Sequence, residues 1–284
     1  MTPQLTPTDI INHARYPIDL LSDSRRAAAV DQVRTELAAD GCAVIRDFFS
    51  PAGLTALVDE AEARRSQAYY SPTKACNVYL NDGNPDMPPD HPTNILNPRT
   101  NGFITADLFG EDTAARRLYY WAPLKQFLAD CLGKDNLHIY EDPVSNMIVN
   151  LGKPGQEFNW HFDTNEFTIT MLLRPATSGG VFEYVPGLRS ADDECYEDVG
   201  RVLNGDRSRV KQLELHAGDL QFFLGRFSLH QVTANTGDSD RLVLIMSFAD
   251  SPGMIGSKAR VKSLYGKVTD EHERRQVFSD GLTD

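Results

Sequence analysis

From residue 144 to residue 248 the chain is a succession of short apolar runs separated by turn residues, and this alternation restricts its fold more than any other feature. Val144–Leu151, Phe167–Leu173, Gly180–Val185, Gln212–Leu215, Leu220–Leu224, Gln231–Ala234 and Arg241–Phe248 are each of strand length. Between them stand Lys153-Pro154-Gly155, Gly179-Gly180, Pro186-Gly187, Ala217-Gly218-Asp219 and Asn235-Thr236-Gly237-Asp238, which are the residue types that tight turns require. Intervals of this kind suit an antiparallel double-stranded β-helix, so the fold class is mainly β, a jelly roll with flanking helices.

The flanks are announced by their caps. Ser24 is placed to cap a helix whose Val30, Val33 and Leu37 share one face, and Gly41 suits the left-handed residue that ends it. A β-rich run, Cys42–Phe49, follows, and Ser50-Pro51 then opens a second helix through about Arg65. Residues 1–23 read as an extended arm lying on the body. Residues 69–110, rich in aromatic, Asn and Pro residues, read as a loop of the length used for binding loops and lids. A single helix is expected from about Thr113 to Leu132, a polar insertion from Ser190 to Val210, and a late helix over Asp270–Val277. The expected organisation is one domain over 1–284: a helical flank and substrate loop at 1–135, the β-helix core at 136–250 and a tail at 251–284.

Charge and composition narrow the partners. A net charge of −12 with no Lys/Arg cluster disfavours nucleic acid and favours a small-molecule substrate. No apolar run approaches the roughly 20 residues of a membrane span, and Met1-Thr2-Pro3-Gln4 lacks the start of a secretion signal, so no membrane partner is expected and the reading is cytoplasmic. Cys42, Cys76, Cys131 and Cys195 are scattered without a Cys-x-x-Cys pair, as expected of free, buried thiols.

The chemistry is carried by Asn159-Trp160-His161-Phe162-Asp163-Thr164-Asn165-Glu166. On an extended backbone His161 and Asp163 leave the same face and can grip one cation. His230 follows after 66 intervening residues, and two imidazoles with one carboxylate form the facial triad of non-haem Fe(II) oxygenases. Arg241, opening its own strand, sits where a fixed cation could hold the distal carboxylate of a dicarboxylate cosubstrate. Fe(II) on such a triad keeps positions for 2-oxoglutarate and O₂. Of the other histidines, His13, His91, His138, His216 and His272 lack comparable spacing and are assigned to surface or packing. Arg99 is a candidate for a substrate carboxylate; Asn165, Glu166, Ser247 and Glu141, with its neighbour Asp142, are candidates for the pocket wall.

The run from Asn159 to Leu173, followed by Gly179-Gly180-Val181-Phe182-Glu183-Tyr184-Val185-Pro186, resembles the Fe(II)/2-oxoglutarate enzymes that act on free amino acids, a group of radical halogenases and hydroxylases. The resemblance is clearest from about Asn146 to Phe248. It implies a cupin-like β-helix, His161, Asp163 and His230 as metal ligands and Arg241 as the 2-oxoglutarate anchor. In halogenating members a small residue replaces the metal carboxylate, so Asp163 implies hydroxylation. Thr164 stands where lysine-acting relatives are expected to carry an acid, which argues against lysine. Desaturation or ring formation on the same cofactors, and a non-catalytic cupin-like binding module, are the competing readings.

Overall fold

Two antiparallel sheets face each other and place the His161 strand opposite the Arg241 strand. The computed structural model describes residues 4–274. The major sheet runs, from edge to edge, Cys42–Ile45, Leu220–Phe223, Thr168–Arg174, Arg241–Met246, Met147–Gly152, Gly102–Ile104 and Tyr69–Tyr70. The minor sheet runs Lys211–Leu213, Phe182–Val185, Leu229–Val232 and Phe158–His161. Side chains of the two sheets meet between them: Cys42 and Phe223 pack on Phe182 and Tyr184, while Phe103 and Ile148 pack on Phe158. This is the double-stranded β-helix that the turn spacing implies.

The period of two along each strand decides what faces where. Ile169, Met171 and Leu173 point outward with Leu242, Leu244 and Met246 into a core shared with the helices. Thr168 and Thr170 therefore point inward, as do Arg241 and Ile245. The covering helices are Ser24–Asp40, Pro51–Arg64, Ala114–Tyr119 and Ala122–Leu132, whose Val33, Leu57, Leu118 and Phe127 seal the outer face of the major sheet.

Several boundaries differ from the sequence reading, each for a local reason. Asp23, not Ser24, caps the first long helix, its side chain accepting from the Arg25 N–H; Gly41 does end it, at φ 63°. Ser50 caps the next helix as expected. The strand expected over Cys42–Phe49 stops at Ile45, because Asp47 turns the chain at φ 52°. The helix expected over Thr113–Leu132 is broken at Tyr120–Trp121, where Pro123 opens a new one. The N-terminal arm does lie on the body, but through a helical turn, Pro7–Ile10, capped by Thr6, that drives Ile10 and Ile11 into the core. Residues 69–110 are not simply loop, since Gly102–Ile104 and Tyr69–Tyr70 extend the major sheet. The Arg241–Phe248 run is interrupted at Ser247. In the tail, Lys258–Tyr265 forms a helix that the sequence reading did not specify; Asp270–Arg274 is helical, and Val277 lies outside the described residues. Among the described residues no helix is long and apolar enough to cross a membrane, and all four cysteines are free, Cys42 and Cys131 buried and Cys76 and Cys195 half-buried.

Candidate metal centre

The Phe158–His161 strand, absent from the runs singled out above, pairs with Leu229–Val232 so that His161 lies directly opposite His230. Asp163, two residues on, is just beyond the strand but still extended enough to share its face. One donor atom from each of His161, Asp163 and His230 lies within 4.8 Å of the other two. Between the ligand candidates, Phe162 points the opposite way into an apolar cluster with Tyr79 and Trp160, so Trp160 packs.

Backbone carbonyls orient both imidazoles. His161 Nδ1 donates to the Asn159 carbonyl at 2.7 Å, and His230 Nδ1 donates to the Ser228 carbonyl at 3.0 Å. A carbonyl only accepts, so each Nδ1 carries the proton and each Nε2 is the ring nitrogen left to face a metal. Burial, reinforced by the neighbouring His230, pushes His161 down to about 3, which keeps it neutral and able to ligate. For Asp163 burial works against the charge. The adjacent His230 and His161 and the Thr168 hydroxyl outweigh it and hold the carboxyl well below the usual range. Thr168 Oγ1 donates to Asp163 Oδ2 at 2.5 Å, a contact that follows from its inward position on the major sheet. Two imidazoles oriented through their Nδ1 atoms and a carboxylate are the donor set of a facial iron site, so these residues fit Fe(II).

Gly225 makes room for that carboxylate. A Cβ there would stand 2.0 Å from Asp163 Oδ2, and the Asp163 N–H donates to the Gly225 carbonyl at 3.1 Å. Gly225→Ala is therefore expected to push the carboxylate aside and weaken iron binding by about 10- to 100-fold while far-UV circular dichroism stays unchanged. Wild-type affinity in a ferrous-iron titration of that variant would show that Asp163 is not held in this way. Neither Gly225 nor Thr168 carried a sequence signal, because each is defined only by its approach to Asp163 across the fold.

Arg241 enters the same interior. It lines a cavity with Phe158, Asn101, Asn150 and Gly180, and Phe158 stacks on His161 with ring centroids 3.7 Å apart. Among the described residues Arg241 has no acidic partner, and burial alone pushes it down to about 10, so it stays charged at neutral pH. Asn101 Oδ1 in the same cavity is buried without a hydrogen-bond partner. A buried cation without a counter-ion is costly, and a dianionic cosubstrate such as 2-oxoglutarate fits the need.

The remaining candidates disperse. Arg99 comes to the site: it is 4% exposed, forms an antiparallel bridge with Phe158, and its Nε lacks a hydrogen-bond partner. Asn165 is half-buried in the bend after Asp163. Glu166 faces outward and pairs with Lys134 at 3.1 Å. Glu141 is exposed and accepts from the Gly253 N–H, and Ser247 Oγ is turned to the Ser145 carbonyl. Asp142 is fully buried and saturated by the Val144, Ser145 and Gly256 N–H groups and by His272 Nε2. The long loop is pinned rather than loose, the Val78 carbonyl accepting from the Phe162 N–H at 2.8 Å.

A family model described as halogenase D matches residues 97–259. The chain belongs to the halogenase D family. It is thereby one of the Fe(II)/2-oxoglutarate oxygenases, in agreement with the resemblance read from residues 159–186. No curated protein matches the chain. Among solved structures it is similar to the non-haem α-ketoglutarate-dependent epimerase SnoN from nogalamycin biosynthesis, at TM-score 0.55 and 16% identity over 79% of this chain and 83% of that one. It is similar also to a prolyl hydroxylase from Trichoplax adhaerens, at TM-score 0.54 and 13% identity over 80% and 91% of the two chains. AviO1 from Streptomyces viridochromogenes gives TM-score 0.53 and 19% identity over 80% and 95%. These likenesses establish the shared β-helix fold.

Proposed function

We propose that this chain is an Fe(II)- and 2-oxoglutarate-dependent hydroxylase, acting on an unactivated C–H bond of a small substrate, a free amino acid or a derivative of one. The observation that carries the reading is the convergence of His161, Asp163 and His230 beside a cavity in which Arg241 stands buried without a counter-ion among the described residues. His161, Asp163 and His230 hold the iron, and Arg241 holds the distal carboxylate of 2-oxoglutarate. The bound iron and 2-oxoglutarate supply, through O₂-dependent decarboxylation to succinate and CO₂, the oxidant for C–H cleavage.

The chain's own residues direct that chemistry. Thr168 fixes the Asp163 carboxylate, the Asn159 and Ser228 carbonyls fix the two imidazoles, and Phe158, Phe182 and Phe223 wall the histidines with apolar rings that exclude water. Arg99 receives a carboxylate of the substrate. Because Asp163 fills the third protein position, no vacancy remains for a halide, and hydroxylation is the expected outcome despite the family's name. The free cysteines suit a reducing compartment such as the cytoplasm, with 1–284 working as one domain.

Anaerobic addition of Fe(II) and then 2-oxoglutarate tests the cofactor reading, with a visible metal-to-ligand charge-transfer band as the expected result. Absence of that band would sink it. Screening free amino acids for succinate release, followed by product mass, tests hydroxylation: a gain of one oxygen is expected, and a loss of two hydrogens would favour desaturation or ring closure instead.

A further inference from the structure

The Lys258–Tyr265 helix packs beside Phe158, the ring stacked on His161, and is fastened at both ends. At its start the Gly256 N–H donates to Asp142 Oδ2 at 3.0 Å, the same carboxylate that holds His272. At its end Gly266, at φ 75°, leaves space that Tyr69 fills, since a Cβ there would stand 2.2 Å from that ring. Leu264 is buried against Phe103, Phe158 and Ile148. Arg260 is one turn earlier and shares that inward face.

Arg260 is half-buried and, among the described residues, has neither an ion-pair nor a side-chain hydrogen-bond partner. It stands within Coulombic reach of Arg99, Cys76 and Tyr265, and of His161. Arg99 is itself buried with an unpartnered Nε. Both residues thus stand beside Phe158: Arg99 bridges it through the backbone, and Leu264, on the helix of Arg260, packs against it. Of the two acids near Tyr265, Asp163 belongs to the metal site, and Asp142 already accepts four hydrogen bonds and has no oxygen to offer either cation.

Iron, Asp163, 2-oxoglutarate and Arg241 sum to zero, so the cofactor side leaves no charge for the substrate side to balance. Arg99 and Arg260, less the saturated Asp142, leave one positive charge facing the substrate. A zwitterionic amino acid with a neutral side chain is net neutral and leaves that charge uncompensated, while a basic side chain adds to it.

We propose that Arg99 and Arg260 form a two-guanidinium clamp on an anionic group of the substrate, which is therefore an acidic amino acid or N-acylated amino acid of net negative charge. The inference rests on the oxygenase reading of the same site. Arg260 is a binding residue that selects for charge, carried on a fastened helix so that its head is preorganised for a carboxylate.

The test uses the protein loaded anaerobically with Fe(II) and 2-oxoglutarate, the charge-transfer band first confirming that the cofactors are bound. Calorimetric titrations then compare L-aspartate, L-glutamate and L-2-aminoadipate with L-asparagine, L-glutamine and L-ornithine, and N-acetyl-L-norvaline with L-norvaline. An anionic member is expected to bind tighter than its neutral or basic counterpart by about 10- to 100-fold; whether it is a dicarboxylate or the N-acyl compound identifies the source of the charge. Arg260→Gln should erase this preference with the band intact, and Arg260→Lys should retain part of it. Tighter binding of neutral or basic members, no binding by any member, or an unchanged preference in Arg260→Gln overturns the clamp. Loss of the band in the wild type instead overturns the oxygenase reading.

Discussion

Replacing Asp163 with glycine is expected to abolish hydroxylation, lowering product formation by at least about 100-fold, because a first ligand matters no less than the outer contacts whose loss already costs ~10- to 100-fold. The fold should survive. Asp163 lies beyond the end of its strand, its side chain is 23% exposed, and the Phe162 ring behind it stays packed in its own cluster. Asp163→Asn, of the same size, separates charge from space. It keeps an oxygen near Thr168 but removes the negative charge that balances the iron, so iron affinity should fall there too. The glycine variant opens a third position, and with chloride present, product mass should reveal halogen transfer if the rest of the site is permissive. Full hydroxylase activity in either variant would show that Asp163 is not a ligand, whatever the distances suggest.

Residues whose roles follow from their immediate neighbours could be read in advance. Gly41 ends a helix because only its own φ is in question, and Ser50-Pro51 opens one for equally local reasons. His161 and Asp163 are legible as a pair because a spacing of two puts them on one face wherever the backbone is extended. The Phe158–His161 strand itself was missed: three of its four residues are buried, so no in–out alternation marks it. Gly102–Ile104 is too short to show any period, and it became a strand only through pairing with Met147–Gly152. The contacts that shape the site join distant parts of the chain. Gly225 beside Asp163, Arg99 against Phe158 and the helix of Arg260 against Phe158 exist only after the sheets close, and no local pattern encodes them. Glu166 shows the reverse error, since adjacency to the ligands in sequence did not stop the bend at residues 164–166 from turning it outward to Lys134.

Arg241→Met should separate cosubstrate binding from stability with opposite signs. The guanidinium is buried with no acidic partner among the described residues, so in the absence of 2-oxoglutarate it is a desolvated charge that the fold must tolerate. Its stem is well packed, since a Cβ on Gly180 would come within 3.1 Å of Arg241 Cδ, and methionine has nearly the volume to replace that stem. The variant protein without ligands should therefore unfold at the same temperature as wild type or higher. Binding of 2-oxoglutarate should fall sharply, because truncating one partner of a buried charge pair costs about 2 to 5 kcal/mol, or roughly 30- to several-thousand-fold in Kd. Lysine restores the charge but not the two-pronged geometry, and should recover only part of the loss. A thermal melt and a 2-oxoglutarate titration of the iron-loaded protein read the two effects independently. Unchanged affinity in Arg241→Met would mean that the distal carboxylate is held elsewhere in the cavity. A large loss of unliganded stability would mean that Arg241 is a structural cation with a partner of its own.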